Sequence, residues 1–259
     1  MEKHLEESLI QSLEAKPELL RFLPELLVDL WALGSKPETI LELVSTLNLN
    51  KEAAKILDLG CGKGAVAVTL AKNLGLKVKG IDAFKPFLEI AIQKAEEYKV
   101  EHLCKFVLGD LRESVKTEKD YDLVSYISLG SILGGFDEIV KKLRNTVKIG
   151  GYILIDDGFL KTDTPVNRAG YELYFSYEDT IKKLTSSGDK IVREYIYPEE
   201  QTRELNLSYQ RMIEKRSEEI IERHPSHAKE IREYVANQKE ECEVIDKRLT
   251  GALWILEKR

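Results

Sequence analysis

Short apolar segments alternate with helical segments along the middle of this chain of 259 residues. Such an order is typical of βαβ units, in which each helix connects two neighbouring parallel strands. Right-handed crossovers then place helices on both faces of the sheet. The sequence therefore predicts an α/β fold, with strands at about 56–59, 76–81, 104–108, 121–127 and 151–156 and helices near 64–74, 86–98 and 136–147.

Helical segments flank this predicted core. Leucines recur at three- and four-residue spacing in residues 1–50, which predicts an N-terminal helical cap. After the fifth strand, Ser176 is predicted to cap a further helix. Two amphipathic helices, broken at Pro225, are predicted between a strand near 190–197 and a last strand that begins at Leu249. The expected domains are a cap of residues 1–50, a core of residues 51–198 with 248–259, and a helical insertion of residues 199–247.

Charge and composition exclude several kinds of protein. The chain has no run of apolar residues long enough for a transmembrane helix, and its charged N-terminus lacks the apolar centre of a signal peptide. A net charge of -6 argues against a protein whose main task is to bind nucleic-acid phosphates. Cys61, Cys104 and Cys242 have a spacing that fits neither a disulfide framework nor a zinc site. We therefore expect a cytoplasmic protein without a membrane partner.

A glycine-rich turn follows the first predicted strand, in the segment Ile56-Leu57-Asp58-Leu59-Gly60-Cys61-Gly62-Lys63-Gly64. Glycines let the backbone adopt positive φ and approach a ligand closely, while the N–H groups of the next helix face that ligand. By itself the turn is also compatible with a nicotinamide dinucleotide site, because Ala65 completes the pattern of such sites.

Acidic residues at three strand ends distinguish a dinucleotide from a ligand that carries a positive charge. Asp58 would repel the pyrophosphate of a dinucleotide and would attract a ligand that carries an ammonium group. Asp82, at the end of the second strand, suits the ribose hydroxyls of either ligand. Asp110, after the third strand, suits an exocyclic adenine amine. All three are expected in the crevice at the carboxyl edge of one sheet.

In these residues the chain resembles the class I S-adenosylmethionine-dependent methyltransferases. The segment ILDLGCGKG is similar to their first motif, VKGIDAF to the acidic motif of the second strand, LGD to the adenine-contacting motif and YDLVSYISLGSIL to the motif of the fourth strand. The resemblance covers about residues 50–197 and 248–257. It implies a Rossmann-like, seven-stranded, mostly parallel sheet with the last strand antiparallel, and S-adenosyl-L-methionine as the cofactor.

The same resemblance implies cofactor-binding roles for residues at the ends of four strands. They are Asp58, Gly60, Gly62 and the backbone of Cys61 for the amino-acid part, Asp82 followed by Ala83 for the ribose, Asp110 with Leu111 for the adenine, and Ser128 and Leu129 beside the sulfonium.

The acceptor side is not fixed by this resemblance, since methyl transfer from a sulfonium needs mainly alignment of the reactants. Asp156 and Asp157 are predicted at the end of the fifth strand, where paired carboxylates can raise one pKa into the range of a general base. A strand-ending aspartate that caps the following loop is the alternative. Further candidates stand in that loop, either as an aromatic wall around an acceptor or as packing of the loop: Arg168, Tyr171, Tyr174 and Tyr177.

The function expected from these features is methyl transfer to a small-molecule acceptor. The alternatives are a methyltransferase that acts on protein or RNA, and a non-catalytic S-adenosylmethionine-binding regulatory protein. The helical insertion is expected to serve as a lid over the acceptor or as the interface of a homodimer. No metal site is expected, because Pro225 breaks the helix that would align His224 with His227.

Overall fold

The computed structural model describes Leu13, residues 15–34 and residues 36–259, so the predicted helical leucines Leu5 and Leu9 lie outside the described residues. The chain divides into two compact units. A helical unit combines Met1–Trp31 with Tyr197–Thr250, and a sheet unit combines Ala32–Ile196 with Gly251–Arg259. In the described part of the chain, every helix is too short or too polar to cross a membrane.

A seven-stranded sheet in the order β3-β2-β1-β4-β5-β7-β6 forms the centre of the sheet unit. The neighbours from β3 to β5 are parallel, and β7 runs antiparallel to β6, which confirms the expected topology. Buried apolar residues of the central strands supply the core, with Trp254 fully buried among them. The strands are β1 Lys55–Leu59, β2 Lys77–Asp82, β3 Cys104–Leu108, β4 Tyr121–Ile127, β5 Val147–Leu160, β6 Lys190–Ile196 and β7 Leu249–Glu257.

The helices of the sheet unit pack in two sets, α2 with α3 and α4, and α5 with α6 and α7. Such an arrangement matches the expected α/β fold, in which crossover helices cover a parallel sheet. Numbered along the described chain, the helices are α1 Leu23–Leu26, α2 Pro37–Ser45, α3 Ala65–Leu74, α4 Lys85–Glu97, α5 Leu111–Thr117, α6 Phe136–Leu143, α7 Tyr177–Leu184, α8 Glu199–Arg223 and α9 Ala228–Arg248.

The parallel register brings the ends of β1, β2 and β4 together at one edge of the sheet. Asp58 on β1 lies opposite Gly80 of β2 and Ser125 of β4. Because these strands are neighbours and point the same way, the segments that follow them meet at the same edge. That edge therefore gathers the glycine turn, Asp82 and the segment after Ile127.

Strand β5 differs from its prediction, which ended it at residue 156. The strand runs on to Leu160, because the backbone N–H of Leu160 donates to the carbonyl of Phe175 at 2.7 Å and Leu160 bridges Ser176. The expectation that Asp156 and Asp157 close the strand is therefore wrong. Both residues lie inside it.

The expected division of the chain also differs from the observed units. Residues 32–50, expected within the N-terminal cap, belong to the sheet unit, where α2 packs against α3 and buries Ile40 and Val44.

The helical unit joins the described N-terminal segment to the α8–α9 hairpin through ion pairs. Arg216 binds Asp29 through two hydrogen bonds, Nε to Oδ2 at 2.7 Å and Nη2 to Oδ1 at 2.8 Å. Arg223 pairs with Glu25 on the same side of α8. These contacts link two segments of one unit that lie far apart in sequence.

We predict that Asp189→Asn lowers the free energy of unfolding by about 2 kcal/mol, the range for hydrogen bonds to charged groups. Asp189 is 4% exposed, pairs with Arg144 on the segment after α6, and accepts from the N–H of Arg259 at 3.2 Å. Urea unfolding followed by circular dichroism measures the change. Asp179→Asn is the matched control, since its pair with Lys182 is exposed to solvent and is expected to contribute little to stability. Equal effects of the two substitutions would contradict the prediction.

Candidate ligand site at the carboxyl edge of the sheet

The turn after β1 depends on glycines in the left-handed region. Gly60, Gly62 and Gly64 have φ values of +66°, +51° and +75°. A Cβ on Gly60 would lie 2.5 Å from Cδ2 of Leu129, and one on Gly64 would lie 2.8 Å from Cβ of Ala91. At these two positions both the torsion angle and the available space exclude a side chain.

Cys61 is tied into the protein by its backbone and its side chain. Its N–H donates to the carbonyl of Ile81 at 3.1 Å, and its carbonyl accepts from the N–H of Gly64 at 2.9 Å. The thiol is buried against the position where Gly80 lacks a Cβ. The Cys61 side chain thus packs on the sheet, and a ligand contact through its backbone stays a prediction.

Asp58 is a buried carboxylate at the end of β1. It is 3% exposed, and the Ser125 hydroxyl donates to its Oδ1 at 2.7 Å. Burial raises the pKa of Asp58 to about 7, and the nearby Asp82 carboxylate also raises it, whereas the Ser125 hydrogen bond lowers it. A cationic group placed beside Asp58 would restore its ionised form.

Asp82 connects β2 to the glycine turn. Its Oδ2 accepts from the N–H of Gly62 and its Oδ1 from the N–H of Phe84, both at 2.8 Å. Burial raises the pKa of Asp82, and hydrogen bonds from Phe84, Gly62 and Ala83 oppose that rise. A carboxylate accepts about four hydrogen bonds, so beside these three Asp82 retains capacity for about one more, from a hydroxyl of a ligand.

Asp110 caps a helix that the sequence analysis missed. Its Oδ1 accepts from the N–H of Arg112 at 2.8 Å, and the Arg112 guanidinium binds both carboxylate oxygens at 2.8 to 3.1 Å. Helix α5 begins at the next residue, Leu111. The signal was present, because Asp110 and Glu113 have the spacing of a capping box. An adenine amine would have to share this carboxylate with Arg112.

The segment after β4 packs on the glycine turn. Ser128 has φ +52°, and the side chain of Leu129 fills the space beside Gly60. Non-glycine residues in the left-handed backbone region store strain of about 1–3 kcal/mol and cluster at functional sites.

Two residues that pack on this edge were not identified from the sequence. A Cβ added to Gly34 would lie 3.1 Å from Oγ of Ser128, and a Cβ added to Gly62 would lie 3.4 Å from Leu33.

Asp157 of β5 is paired with a tyrosine and not with its neighbour in sequence. The Tyr174 hydroxyl donates to Oδ1 of Asp157 at 2.6 Å. Burial raises the pKa of Asp157 to about 6, while hydrogen bonds from Tyr174 and Gly158 lower it. Burial is thus the largest cause of this shift, whereas the sequence analysis expected the coupling of two adjacent carboxylates to raise it.

Two of the four loop candidates come together beside Asp157. Tyr171 and Tyr174 are stacked, with ring centroids 5.2 Å apart and an interplanar angle of 22°. Tyr177 lies elsewhere, because it packs on Phe159 and its hydroxyl donates to Glu194 at 3.1 Å. Arg168 contributes its carbonyl, which accepts from the N–H of Tyr171 at 3.2 Å.

A narrow crevice opens between this pair of tyrosines and the turn after β4. Its volume is about 10 Å³, and it is lined by Gly130, Ser131, Gly134, Gly135, Phe136, Ile139, Asp157, Leu173 and Tyr174. A cavity of this size holds about one water molecule.

His224 and His227 both pack against Phe22, with ring centroids 5.2 and 5.4 Å apart. Within the described ranges, no three His, Cys, Asp or Glu side chains are grouped as metal ligands.

The chain is similar to a protein family and to several curated proteins. Residues 56–151 match the family described as methyltransferase domain. The chain is 33% identical to the uncharacterized protein YjhP of Escherichia coli over 42% of this chain and 44% of that protein. It is 34% identical to the ribosomal protein L11 methyltransferase of Dictyoglomus thermophilum over 44% and 35%. It is 31% identical to the ubiquinone biosynthesis O-methyltransferase of Rickettsia akari over 46% of each. The aligned region thus spans less than half the length of each of these relatives.

Solved structures share the fold over most of the chain. The S-adenosyl-L-homocysteine complex of a methyltransferase from Geobacter sulfurreducens has a TM-score of 0.78 at 19% identity, covering 92% of this chain and 98% of that one. A methyltransferase from Thiobacillus denitrificans, also solved with S-adenosyl-L-homocysteine, has a TM-score of 0.77 at 20% identity with the same coverage.

We predict that Gly60→Ala destabilises the protein more than Gly75→Ala. The two glycines have nearly equal φ values, +66° and +68°, but a Cβ at Gly75 has open space while one at Gly60 meets Leu129. The Gly75 substitution is therefore expected to cost about 1–2 kcal/mol of torsional strain, and the Gly60 substitution that amount plus a steric cost of about 1–3 kcal/mol. Urea unfolding of both variants measures the difference.

The double variant Gly60→Ala, Leu129→Ala tests the cause. Removing the isobutyl group is expected to make Gly60→Ala less costly than it is beside Leu129. Additive effects of the two substitutions would show that the contact is not responsible.

Proposed function

We propose that this chain, whose residues 56–151 match a methyltransferase domain, transfers a methyl group from S-adenosyl-L-methionine to a small molecule. The observation that carries the proposal is the pair of carboxylates on both sides of a glycine turn, the buried Asp58 and the half-buried Asp82. Their neighbourhood suits a ligand with a cationic group and a ribose. It disfavours a pyrophosphate, which would lie against Asp58.

Each part of the proposed cofactor has a partner at this edge. Asp58 would pair with the ammonium group, Asp82 would accept from the ribose hydroxyls, and Asp110 would accept from the adenine amine. Ser128 and Leu129, which pack on the glycine turn, would border the sulfonium. When bound, the cofactor supplies an activated methyl group, so the protein has mainly to align the acceptor and exclude water.

A small acceptor is favoured by the narrowness of the crevice beside Asp157. Among the described residues that line it, none is a basic residue that would attract a polyanion. One relative is by name an O-methyltransferase of ubiquinone biosynthesis. A protein acceptor is the second candidate, since another relative is by name a methyltransferase of ribosomal protein L11. The expected cytoplasmic location, and the role of residues 199–247 as a lid or a homodimer interface, belong to this proposal as predictions.

We predict that Asp82→Ala weakens S-adenosyl-L-homocysteine binding at least tenfold, because the ribose hydroxyls lose their acceptor. Isothermal titration calorimetry measures the affinity, and NADH serves as the ligand of the competing dinucleotide interpretation. The 2′-deoxyribose analogue of the same ligand separates a direct contact from a disturbed glycine turn. The unsubstituted protein should bind the analogue more weakly than it binds S-adenosyl-L-homocysteine. The Asp82→Ala variant should bind the two ligands equally.

Asp122→Ala is the matched control for this titration. Like Asp82, Asp122 accepts from a backbone N–H, that of Lys55 at 2.8 Å. It lies at the start of β4, whereas the proposed cofactor site lies at the end of that strand. Its substitution should leave the affinity unchanged. Binding of NADH alone, or of neither ligand, would overturn the proposed function.

We also predict that ligand binding at pH 7 releases protons from Asp58. In the free protein the pKa of Asp58 is about 7, so about half of these carboxyls are protonated at that pH. Pairing with an ammonium group favours the ionised form and lowers the pKa, so about half a proton leaves per ligand bound and the affinity rises from pH 6 to pH 8. Calorimetry in buffers of different ionisation enthalpy measures the release.

In the Asp58→Asn variant, the protons released on binding come from the ligand and from other groups of the protein. The difference in proton release between this variant and the unsubstituted protein is therefore the contribution of Asp58. Identical proton release in both would contradict the assignment of the ammonium group to this carboxylate.

A further inference from the structure

Asp157 stands directly beside the segment proposed to border the sulfonium. Ile127 of β4 lies opposite Asp156 in the parallel register, and the N–H of Ser128 donates to the Asp156 carbonyl at 2.8 Å. One residue further along, the chain is at Ser128 on the side of β4 and at Asp157 on β5. The Tyr174 hydroxyl reaches the same place, 3.9 Å from the position of a Cβ on Gly130.

The groups in this crevice are suited to a cation. Of the nine described residues that line it, one is a carboxylate and none is a lysine, arginine or histidine. The carboxylate of Glu138 contacts Gly134 at the same crevice. The stacked rings of Tyr171 and Tyr174 add aromatic surface, which also attracts cations.

We infer that Asp157 and Tyr174 bind the methyl acceptor, and that the acceptor presents an amine nitrogen to the methyl group. This inference rests on the proposed function, because the cofactor defines which end of the crevice faces the methyl donor. It goes further by naming the chemical class of the acceptor and the residues that recognise it.

The chemistry assigned to Asp157 is recognition and proton removal. An alkylammonium group donates to the carboxylate, which accepts from Tyr174 and Gly158 and retains about two further acceptor positions. Transfer of one proton to Asp157 leaves an amine with a free electron pair. That pair forms the new N–C bond to the methyl carbon while the S–C electrons remain on sulfur, giving a methylammonium product and a neutral thioether. Asp157 then returns its proton to water.

Tyr174 closes the crevice in this structure. A volume of about 10 Å³ admits no organic amine. Leu173 and Tyr174 lie on the segment between β5 and α7, and Leu173 is 39% exposed. Entry of an acceptor therefore requires this segment to move outward.

Benzylamine, benzyl alcohol and benzoate are matched probes of this site, because they share a ring and differ in charge. Each is titrated at pH 7.5 into protein saturated with S-adenosyl-L-homocysteine, with calorimetry as the readout. Benzylamine is expected to bind at least tenfold more tightly than benzyl alcohol, and benzoate more weakly still. Asp157→Asn is expected to remove the preference for the amine.

The pH dependence gives a readout that loss of packing would not reproduce. Ionised Asp157 is needed to bind the ammonium group, so benzylamine affinity should fall as the pH falls through about 6. Tyr126, Tyr174, Asp156, Glu138 and Lys142 are the other titratable groups around this position. Tyr174→Phe removes a hydrogen bond that lowers the pKa of Asp157, so the midpoint should move to higher pH.

Asp163→Asn is the control, since Asp163 is exposed on the same loop. All variants should keep their affinity for S-adenosyl-L-homocysteine within about twofold, which shows that the cofactor site is intact. Failure of the unsubstituted protein to bind S-adenosyl-L-homocysteine would refute the proposed function. If that ligand binds normally, three results would refute this inference alone. They are no binding of benzylamine, equal affinity for the amine and the alcohol, and an unchanged preference for the amine in the Asp157→Asn variant.

Discussion

Burial of carboxylates at one edge of the sheet is the constraint around which the site is built. Removing a carboxylate from water is costly unless hydrogen bonds or a counter-charge compensate. Asp82 obtains two backbone N–H groups, and one of them, from Gly62, is available because the turn after β1 adopts positive φ. The conformation of the glycine turn and the ionisation of Asp82 therefore depend on each other.

The two halves of the site use the same chemical arrangement. In each half an aspartate accepts from a hydroxyl, the buried Asp58 from Ser125 at 2.7 Å and the half-buried Asp157 from Tyr174 at 2.6 Å. Burial raises the pKa in both cases, to about 7 and about 6. Such values lie close to neutral pH, where a nearby cation can switch the carboxyl group to its charged form. The arrangement suits one cation on the cofactor side and another on the acceptor side.

The sequence contains enough information to predict the central sheet, because its strands are short apolar runs bounded by turn residues. The ends of β1, β3 and β4 agree with their predictions to within one residue. Helix α5 was missed because it is short and lacks a continuous apolar face, so its beginning depends on one capping residue, Asp110. The association of the N-terminal segment with α8 was also not predictable, since its contacts, such as that of Asp29 with Arg216, join distant parts of the chain. Gly34 and Leu33 were overlooked for the same reason, because no local pattern marks a residue that packs on a remote turn.

The length of β5 decides which of two adjacent aspartates belongs to the acceptor side. If the strand ended at residue 156, both carboxylates would stand in a loop and would be free to turn toward each other. Because pairing of Leu160 with the chain before α7 extends the strand, neighbouring side chains alternate between its faces. Asp157 lines the crevice and receives the Tyr174 hydroxyl, whereas Asp156 is buried at 4% exposure and contributes its carbonyl to Ser128. A hydrogen bond near residue 160 thus separates a pair of acids that the sequence suggests as partners, and only Asp157 of the two lines the crevice.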